Sequence, residues 1–197
     1  MLWQMSIDVR MGDEDDQHYG SLKIENIVAS GGVADSINLL AVAEQIEWCE
    51  LNTKRFPGAI YRIPDPKMVA LIFSSGKVVI TGAKTRRDLD RGLELIRNSL
   101  NDAGVMIHPE HDVRINNMVC SYDMGQSINL TKIILTLQLE NIEYEPEQFP
   151  GLVYRIADPK IVALLFSSGK VVLTGGKNLQ DVKSGIDVIK KLLADVL

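Results

Sequence analysis

The stretch Phe56–Lys84, FPGAIYRIPDPKMVALIFSSGKVVITGAK, returns at Phe149–Lys177 as FPGLVYRIADPKIVALLFSSGKVVLTGGK, identical at 22 of 29 positions. Inside it, "MVALIF" and "VVIT" are apolar at nearly every position, whereas a strand with one wet face alternates. Both faces of these strands need a cover.

Outward from this stretch, Asn26 aligns with Asn117, and the tripeptide SIN at 36–38 aligns with the one at 127–129, at an offset of 91. By Phe56 and Phe149 the offset is 93, so a two-residue insertion lies between the first helix and the next strand of the second copy. The chain is therefore read as an N-terminal extension over residues 1–20 and two tandem copies, 21–109 and 112–197. A Pro-containing link near Ile107–His111 joins the copies.

Each copy predicts strand, helix, a run of strands, helix. The segments 22–30 and 113–121 alternate polar and apolar residues as strands do. Asn38 and Asn129 are suited to cap helices whose apolar residues Leu39, Val42, Ala43, Ile46 and Leu130, Ile133, Ile134, Leu137 recur at helical spacing. Pro-Gly, Asp-Pro and Ser-Gly turns then divide the strands. A last helix follows the Thr85 or Asn178 cap with Asp88 or Asp181 in capping-box position, and carries the stripe Leu89, Leu93, Ile96, Leu100 or Val182, Ile186, Ile189, Leu193. The expectation is an α+β fold with about five antiparallel strands and two helices per copy.

Two helices cover only one face of such a sheet. Strand parity puts Ala70 and Ile72 on one face and Val69, Leu71 and Phe73 on the other, with Ser75, Lys77, Val79 and Thr81 continuing the second. The second copy repeats this with Val162, Leu164, Phe166, Ser168, Lys170, Val172 and Thr174. With Val28, Phe56, Val119 and Phe149 added, the face without helices exposes roughly 600 Å² of apolar side chain, the upper limit for a soluble monomer. That face is expected to have a partner.

The net charge of −5 argues against a nucleic-acid binder until it is mapped. Residues 1–20 hold five acids (Asp8, Asp13, Glu14, Asp15, Asp16) against Arg10, and the rest of the chain is nearly neutral. Within it, residues 54–87 hold eight bases (Lys54, Arg55, Arg62, Lys67, Lys77, Lys84, Arg86, Arg87) and the single acid Asp65. Cys49 and Cys120 occupy non-equivalent places in the copies, which predicts free, buried or half-buried thiols and no repeated metal site. His18 lies in the extension, and His108 and His111 are read as exposed linker residues. No apolar run approaches a membrane span and the N-terminus lacks a secretory pattern, so the expected compartment is the cytoplasm.

The duplicated "NIVAS", "FPG…YRI" and "PK…AL.FSSGK.V.TGAK" pattern resembles the TATA-box-binding protein family in its archaeal form, over residues 21–197. The resemblance implies a pseudo-twofold saddle: two repeats, each a five-stranded antiparallel sheet with two helices on the convex face, seated on the minor groove of double-stranded DNA. It implies base-edge contacts from Asn26, Val28, Leu71, Val79, Thr81, Asn117, Val119, Leu164, Val172 and Thr174. Phe56 with Phe73, and Phe149 with Phe166, match its intercalating pairs, which kink the DNA. Arg55, Arg62, Ser75, Lys77, Arg155, Ser168 and Lys170 would hold phosphates. Glu143, Glu145 and Glu147 would meet transcription factor B, which brings RNA polymerase to the nucleoid-bound complex. The family needs no cofactor or metal. An enzyme is disfavoured, because the apolar face carries no repeated His, Cys-His pair or carboxylate pair. A protein- or lipid-binding scaffold would use the same apolar sheet but has no need of a basic rim. Self-association of the free protein stays open, and the extension has no counterpart in the family core, with Met5 and Met11 as further candidate starts.

Overall fold

The computed structural model describes residues 19–137 and 140–194. The first repeat runs β1 (Lys23–Gly32), α1 (Leu39–Gln45), β2 (Cys49–Leu51), β3 (Ala59–Ile63), β4 (Met68–Ile72), β5 (Lys77–Ala83) and α2 (Arg86–Asp102). The second runs β6 (Arg114–Asp123), α3 (Leu130–Leu137), β7 (Ile142–Glu143), β8 (Leu152–Ile156), β9 (Ile161–Leu165), β10 (Lys170–Gly176) and α4 (Leu179–Ala194). Each helix starts where a side-chain oxygen can take an orphan N–H. Asn38 Oδ1 accepts from Ala41 N at 3.3 Å, Asn129 Oδ1 from Lys132 N at 2.9 Å, Thr85 Oγ1 from Asp88 N at 3.0 Å and Asn178 Oδ1 from Asp181 N at 2.8 Å. The expected capping box does not close in α4, because the Asp181 carboxylate accepts from Lys177 N, one residue before the cap.

All ten strands form one antiparallel sheet in the order β2-β3-β4-β5-β1-β6-β10-β9-β8-β7. The order reads the same from either end once repeats are exchanged, so the pseudo-twofold passes between β1 and β6. Beneath one face lies the core. Ile27, Ala29, Ala59, Ile72, Val78 and Ile80 from the first repeat, with their equivalents, pack against Ile96, Leu100, Ile186 and Ile189 of α2 and α4. Alternation breaks once in β1: Ile24 and Ile27, an odd number of positions apart, both pack on the core. A register shift against β6 between Ile24 and Asn26 makes this possible.

Cys120 is fully buried, and desolvation pushes its thiol up to about 11, with the Glu25 carboxylate adding to the shift. Cys49 is half-buried and raised for the same reason, assisted by Glu50. The link between repeats is more than exposed chain. His108 Nε2 lies 3.0 Å from Asp35 Oδ1, His108 N donates to Val33 O, and Arg97 Nη2 donates to the carbonyls of His108 and Pro109. His108 is therefore a half-buried anchor, a partnership that spacing along the chain did not show. His111 is exposed, as expected.

Tyr19, counted in the extension, already packs on α4: its hydroxyl donates to Asp187 at 2.8 Å, and Lys183 and Lys190 lie 5.1 and 5.2 Å from its ring centroid. The acidic block 13–16, His18 and residues 138–139 lie outside the described residues. Among the described residues no helix is long and apolar enough to cross a membrane.

Because Ile80 is fully buried beneath the sheet and its neighbour Val79 faces the other way, the two positions separate core from surface. Ile80→Ala should cost about 2–5 kcal/mol in urea denaturation, while Val79→Ala should cost about 1 kcal/mol or less. Equal losses at both would mean that the second face is also packed.

Candidate nucleic-acid interface

The face without helices is built by strand register. On it Arg62 pairs with Val69, Val69 with Thr81, Thr81 with Val28, and Val28 with Asn117. The second half repeats the row as Arg155, Val162, Thr174, Val119 and Asn26. Each row thus begins at a guanidinium on the flank and ends at a carboxamide at the centre. A parallel row places Ile60 opposite Leu71 and Leu71 opposite Val79, with Val153, Leu164 and Val172 as equivalents. These apolar residues are all half-buried, in contrast to their fully buried neighbours in sequence. Ile60 and Val153 escaped the sequence reading. The signal lies two positions on, at Arg62 and Arg155, which the family resemblance expects to hold phosphates.

At the centre, each carboxamide is held by a glycine and a threonine. Gly82 N donates to Asn26 Oδ1 at 2.7 Å, and Gly175 N to Asn117 Oδ1 at 2.7 Å. This settles which end of each amide is oxygen. Nδ2 of Asn26 then lies 3.0 Å from Thr81 Oγ1, and Nδ2 of Asn117 lies 3.2 Å from Thr174 Oγ1. One N–H per amide meets the threonine, and the other has no hydrogen-bond partner among the described residues. The N–H of Gly82 reaches the asparagine because its φ is +104°, a conformation that a side chain would strain; Gly175 has +106°.

The phenylalanines sit in two pairs at the ends of the face. Phe56 and Phe73 meet edge to face with centroids 5.6 Å apart, and Phe149 and Phe166 at 5.8 Å. Phe56, Phe73 and Phe166 are half-buried and Phe149 is 37% exposed, so none of the four belongs to the core. The glycine of each FPG turn makes room for the pair. A Cβ on Gly151 would stand 2.7 Å from Phe149 and 3.1 Å from Phe166; one on Gly58 would also meet the Ile72 carbonyl at 2.7 Å.

Around this apolar field Arg55, Arg62, Ser75, Lys77, Arg155, Ser168 and Lys170 are all exposed. Arg62 pairs with Glu50 at 3.8 Å and Arg155 with Glu143 at 3.3 Å, equivalent contacts in the two halves. Glu143 therefore has a counterpart, and the charge difference between the loops before the FPG turns rests on Glu145 and Glu147 against Asn52 and Lys54, with Gln148 against Arg55. Glu145 and Glu147 are exposed and make no ion pair among the described residues. Another asymmetry escaped the sequence reading. Ser121 Oγ donates to the Glu25 carboxylate at 2.6 Å, whereas the equivalent Ser30 Oγ donates to the neutral Asn116 amide at 2.6 Å.

A family model described as transcription factor TFIID (or TATA-binding protein, TBP) matches residues 21–103 and 112–196, nearly all of both repeats. The chain belongs to the TATA-binding protein family. Members of this family are transcription factors and not enzymes. The TATA-box-binding protein of Haloarcula marismortui is 47% identical over 176 residues, covering 89% of this chain and 95% of its own. That of Methanothermobacter thermautotrophicus is 48% identical over 175 residues, covering 89% and 96%. Among solved structures, Methanococcus jannaschii TBP superimposes with a TM-score of 0.83 at 43% identity, covering 89% of this chain and 99% of that one. The shared fold is the saddle of two tandem repeats. Residues 1–20 precede the family match.

In this TATA-binding protein fold the FPG glycine at Gly151 serves the rings first, since the three atoms that a Cβ would stand nearest to all belong to Phe149 and Phe166. Gly151→Ala should keep the fold, with denaturation shifted by about 1 kcal/mol or less, while the ring–ring nuclear Overhauser contacts between Phe149 and Phe166 vanish. Intact contacts would show that the rings have more room than the geometry allows.

Proposed function

We propose that the helix-free face binds the minor groove of a TATA box, that its phenylalanine pairs kink the DNA, and that the complex recruits transcription factor B and, through it, RNA polymerase. The observation that carries this reading is the pairing of an apolar field with two carboxamides at its centre whose oxygens are bound by glycine N–H groups and whose second N–H is free among the described residues. An A·T minor groove offers only the adenine N3 and thymine O2 acceptors. Asn26 and Asn117, each held with its oxygen turned away, with Thr81 and Thr174 beside them, supply what those acceptors need. Val28, Leu71, Val79, Val119, Leu164 and Val172 supply a smooth surface elsewhere. A G·C pair would press its amino group onto aliphatic carbon, with no acceptor to receive it.

Phe56 with Phe73 and Phe149 with Phe166 stand at the two ends of the face as wedges for the end base steps. Proteins of this class, the TATA-binding proteins among them, unstack such steps at a cost of a few kcal/mol, which is lowest at flexible TA steps. Arg55, Arg62, Ser75, Lys77, Arg155, Ser168 and Lys170 reach phosphates from the rim. Arg155 uses Nε and Nη2 on Glu143, so Nη1 remains for this task. With the DNA face nearly symmetric, direction along the promoter comes from the loops that differ. The acidic second loop with Glu145 and Glu147 attracts a basic transcription factor B, and the basic first loop repels it. Glu143 contributes through its hold on Arg155. On this reading the protein acts on the chromosome, in the cytoplasm of an archaeal-type cell.

Mobility shift on a TATA duplex against a G·C duplex of equal length tests the reading as a whole, and equal affinity for both would end it. Phe73→Ala and Phe166→Ala should each leave circular dichroism unchanged while abolishing stable bending in an energy-transfer assay on end-labelled DNA. Unfolding of these variants would instead make the rings part of the core. Glu145→Arg with Glu147→Arg should keep binary DNA affinity within about threefold, ~0.65 kcal/mol, while the ternary complex with transcription factor B collapses. Normal ternary assembly by that double variant would remove the second loop as the docking site.

A further inference from the structure

On the helix-bearing side, at the turn from α1 into β2, Trp48 is 61% exposed and has a φ of +64°, unlike every other non-glycine residue described. A bulky side chain in the left-handed region is a conformational outlier. The corresponding turn of the second repeat, two residues longer, does without it. Trp48 O accepts from Arg62 N, and in the second repeat Asn141 O accepts from Arg155 N, so Asn141 does the same backbone work. Asn141, also exposed, folds its side chain back onto the neighbouring strand, donating Nδ2 to Arg155 O at 2.9 Å. Trp48 instead stands over solvent, strained and unpartnered.

Beside the indole runs an open groove of about 440 Å³ between the end of α1, β3 and the C-terminal half of α2. Ile46, Ile63 and Leu95 form its apolar wall, and the Tyr61 hydroxyl, 3.2 Å from Ser99 Oγ, closes its floor. Its charged lining is entirely acidic: Glu47, Asp65 and Asp102. Asp65 is taken by Arg91 at 2.9 Å, whereas Glu47 and Asp102 have no cationic partner among the described residues. An indole face and two unpaired carboxylates over aliphatic carbon are the elements that receive a guanidinium or ammonium on an apolar stem. The same carboxylates repel a phosphate backbone.

We propose that this groove docks a basic peptide segment of a partner protein, one arginine or lysine stacking on Trp48 and bonding to Glu47 and Asp102, with adjacent aliphatic side chains along Ile46 and Leu95. The second repeat has Asn141 in place of the indole, so the site occurs once per chain. It lies on the side of the sheet opposite the apolar face, and its occupant does not compete for that face. The proposal stands independently of the DNA reading.

The test uses the full chain carrying Trp3→Phe, which leaves Trp48 as its sole tryptophan. Acetyl-Arg-Leu-Arg-Leu-amide is titrated against indole fluorescence and amide chemical shifts, with acetyl-Glu-Leu-Glu-Leu-amide and an eight-residue thymidine oligonucleotide as controls. The arginine peptide should give a saturable response at about millimolar affinity, with shifts confined to residues around Ile46, Trp48, Leu95 and Ser99, and the controls none at these residues. Glu47→Gln with Asp102→Asn should weaken it at least about fivefold, and Trp48→Asn at least about tenfold. The thermal midpoint of Trp48→Asn should equal or exceed that of the parent, because asparagine relieves the strain. A lower midpoint would assign Trp48 to the fold and overturn the proposal. So would unchanged binding by Trp48→Asn, or equal responses from the glutamate peptide or the oligonucleotide.

Discussion

A sheet has two faces, and four helices that all lie on one side can cover only one of them. The rest of the structure depends on this imbalance. Ten strands rich in valine, isoleucine and leucine bury Ile27, Ala29, Ile72, Ile80 and their equivalents against α2 and α4. The opposite row of Val28, Val69, Leu71 and Val79 stays half-open to water. A protein keeps such a surface when something else is to cover it. The family to which the chain belongs supplies the kind of cover, and the amide geometry at Asn26 and Asn117 supplies the chemistry by which it would be chosen.

Much of this was legible because strands and helices enforce different periods. The parity that separates Val69, Leu71 and Phe73 from Ala70 and Ile72 follows from the pleat alone, and the repeat doubled every such inference. The four N-caps were legible for an equally local reason, since a cap joins residues three apart. Contacts between segments distant in sequence were not. Nothing near His108 in the chain announces Asp35, 73 residues earlier, and nothing near Glu25 announces Ser121. The packing of Ile24 on the core does not follow from alternation, because the register shift in β1 is set by the neighbouring strand β6.

At the interface, residue identities were legible but their orientations were not. That Asn26 faces the open side follows from alternation. That its oxygen is tied down and its nitrogen presented depends on Gly82 adopting a positive φ, which glycine permits but does not announce. The acids of the second loop also needed the structure to be sorted. Glu143 matches Glu50 across the pseudo-twofold and neutralises an arginine, whereas Glu145 and Glu147 stand where the first repeat has Asn52 and Lys54.

The seam between β1 and β6 carries a consequence for how such a chain arises. Each repeat ends at this seam in a ten-residue strand, and the two strands pair antiparallel about a pseudo-twofold, Asn26 opposite Val119 and Val28 opposite Asn117. A single repeat cut from the molecule would display that strand as a long, bare edge, the commonest template for pairing with another chain. Its most complementary partner is a second copy of itself, because an interface about a twofold is self-complementary. The architecture is thus that of a homodimer whose halves have been joined into one chain. Fusion then freed the halves to differ at Trp48, Glu25 and the two loops, where a symmetric dimer must carry every substitution twice.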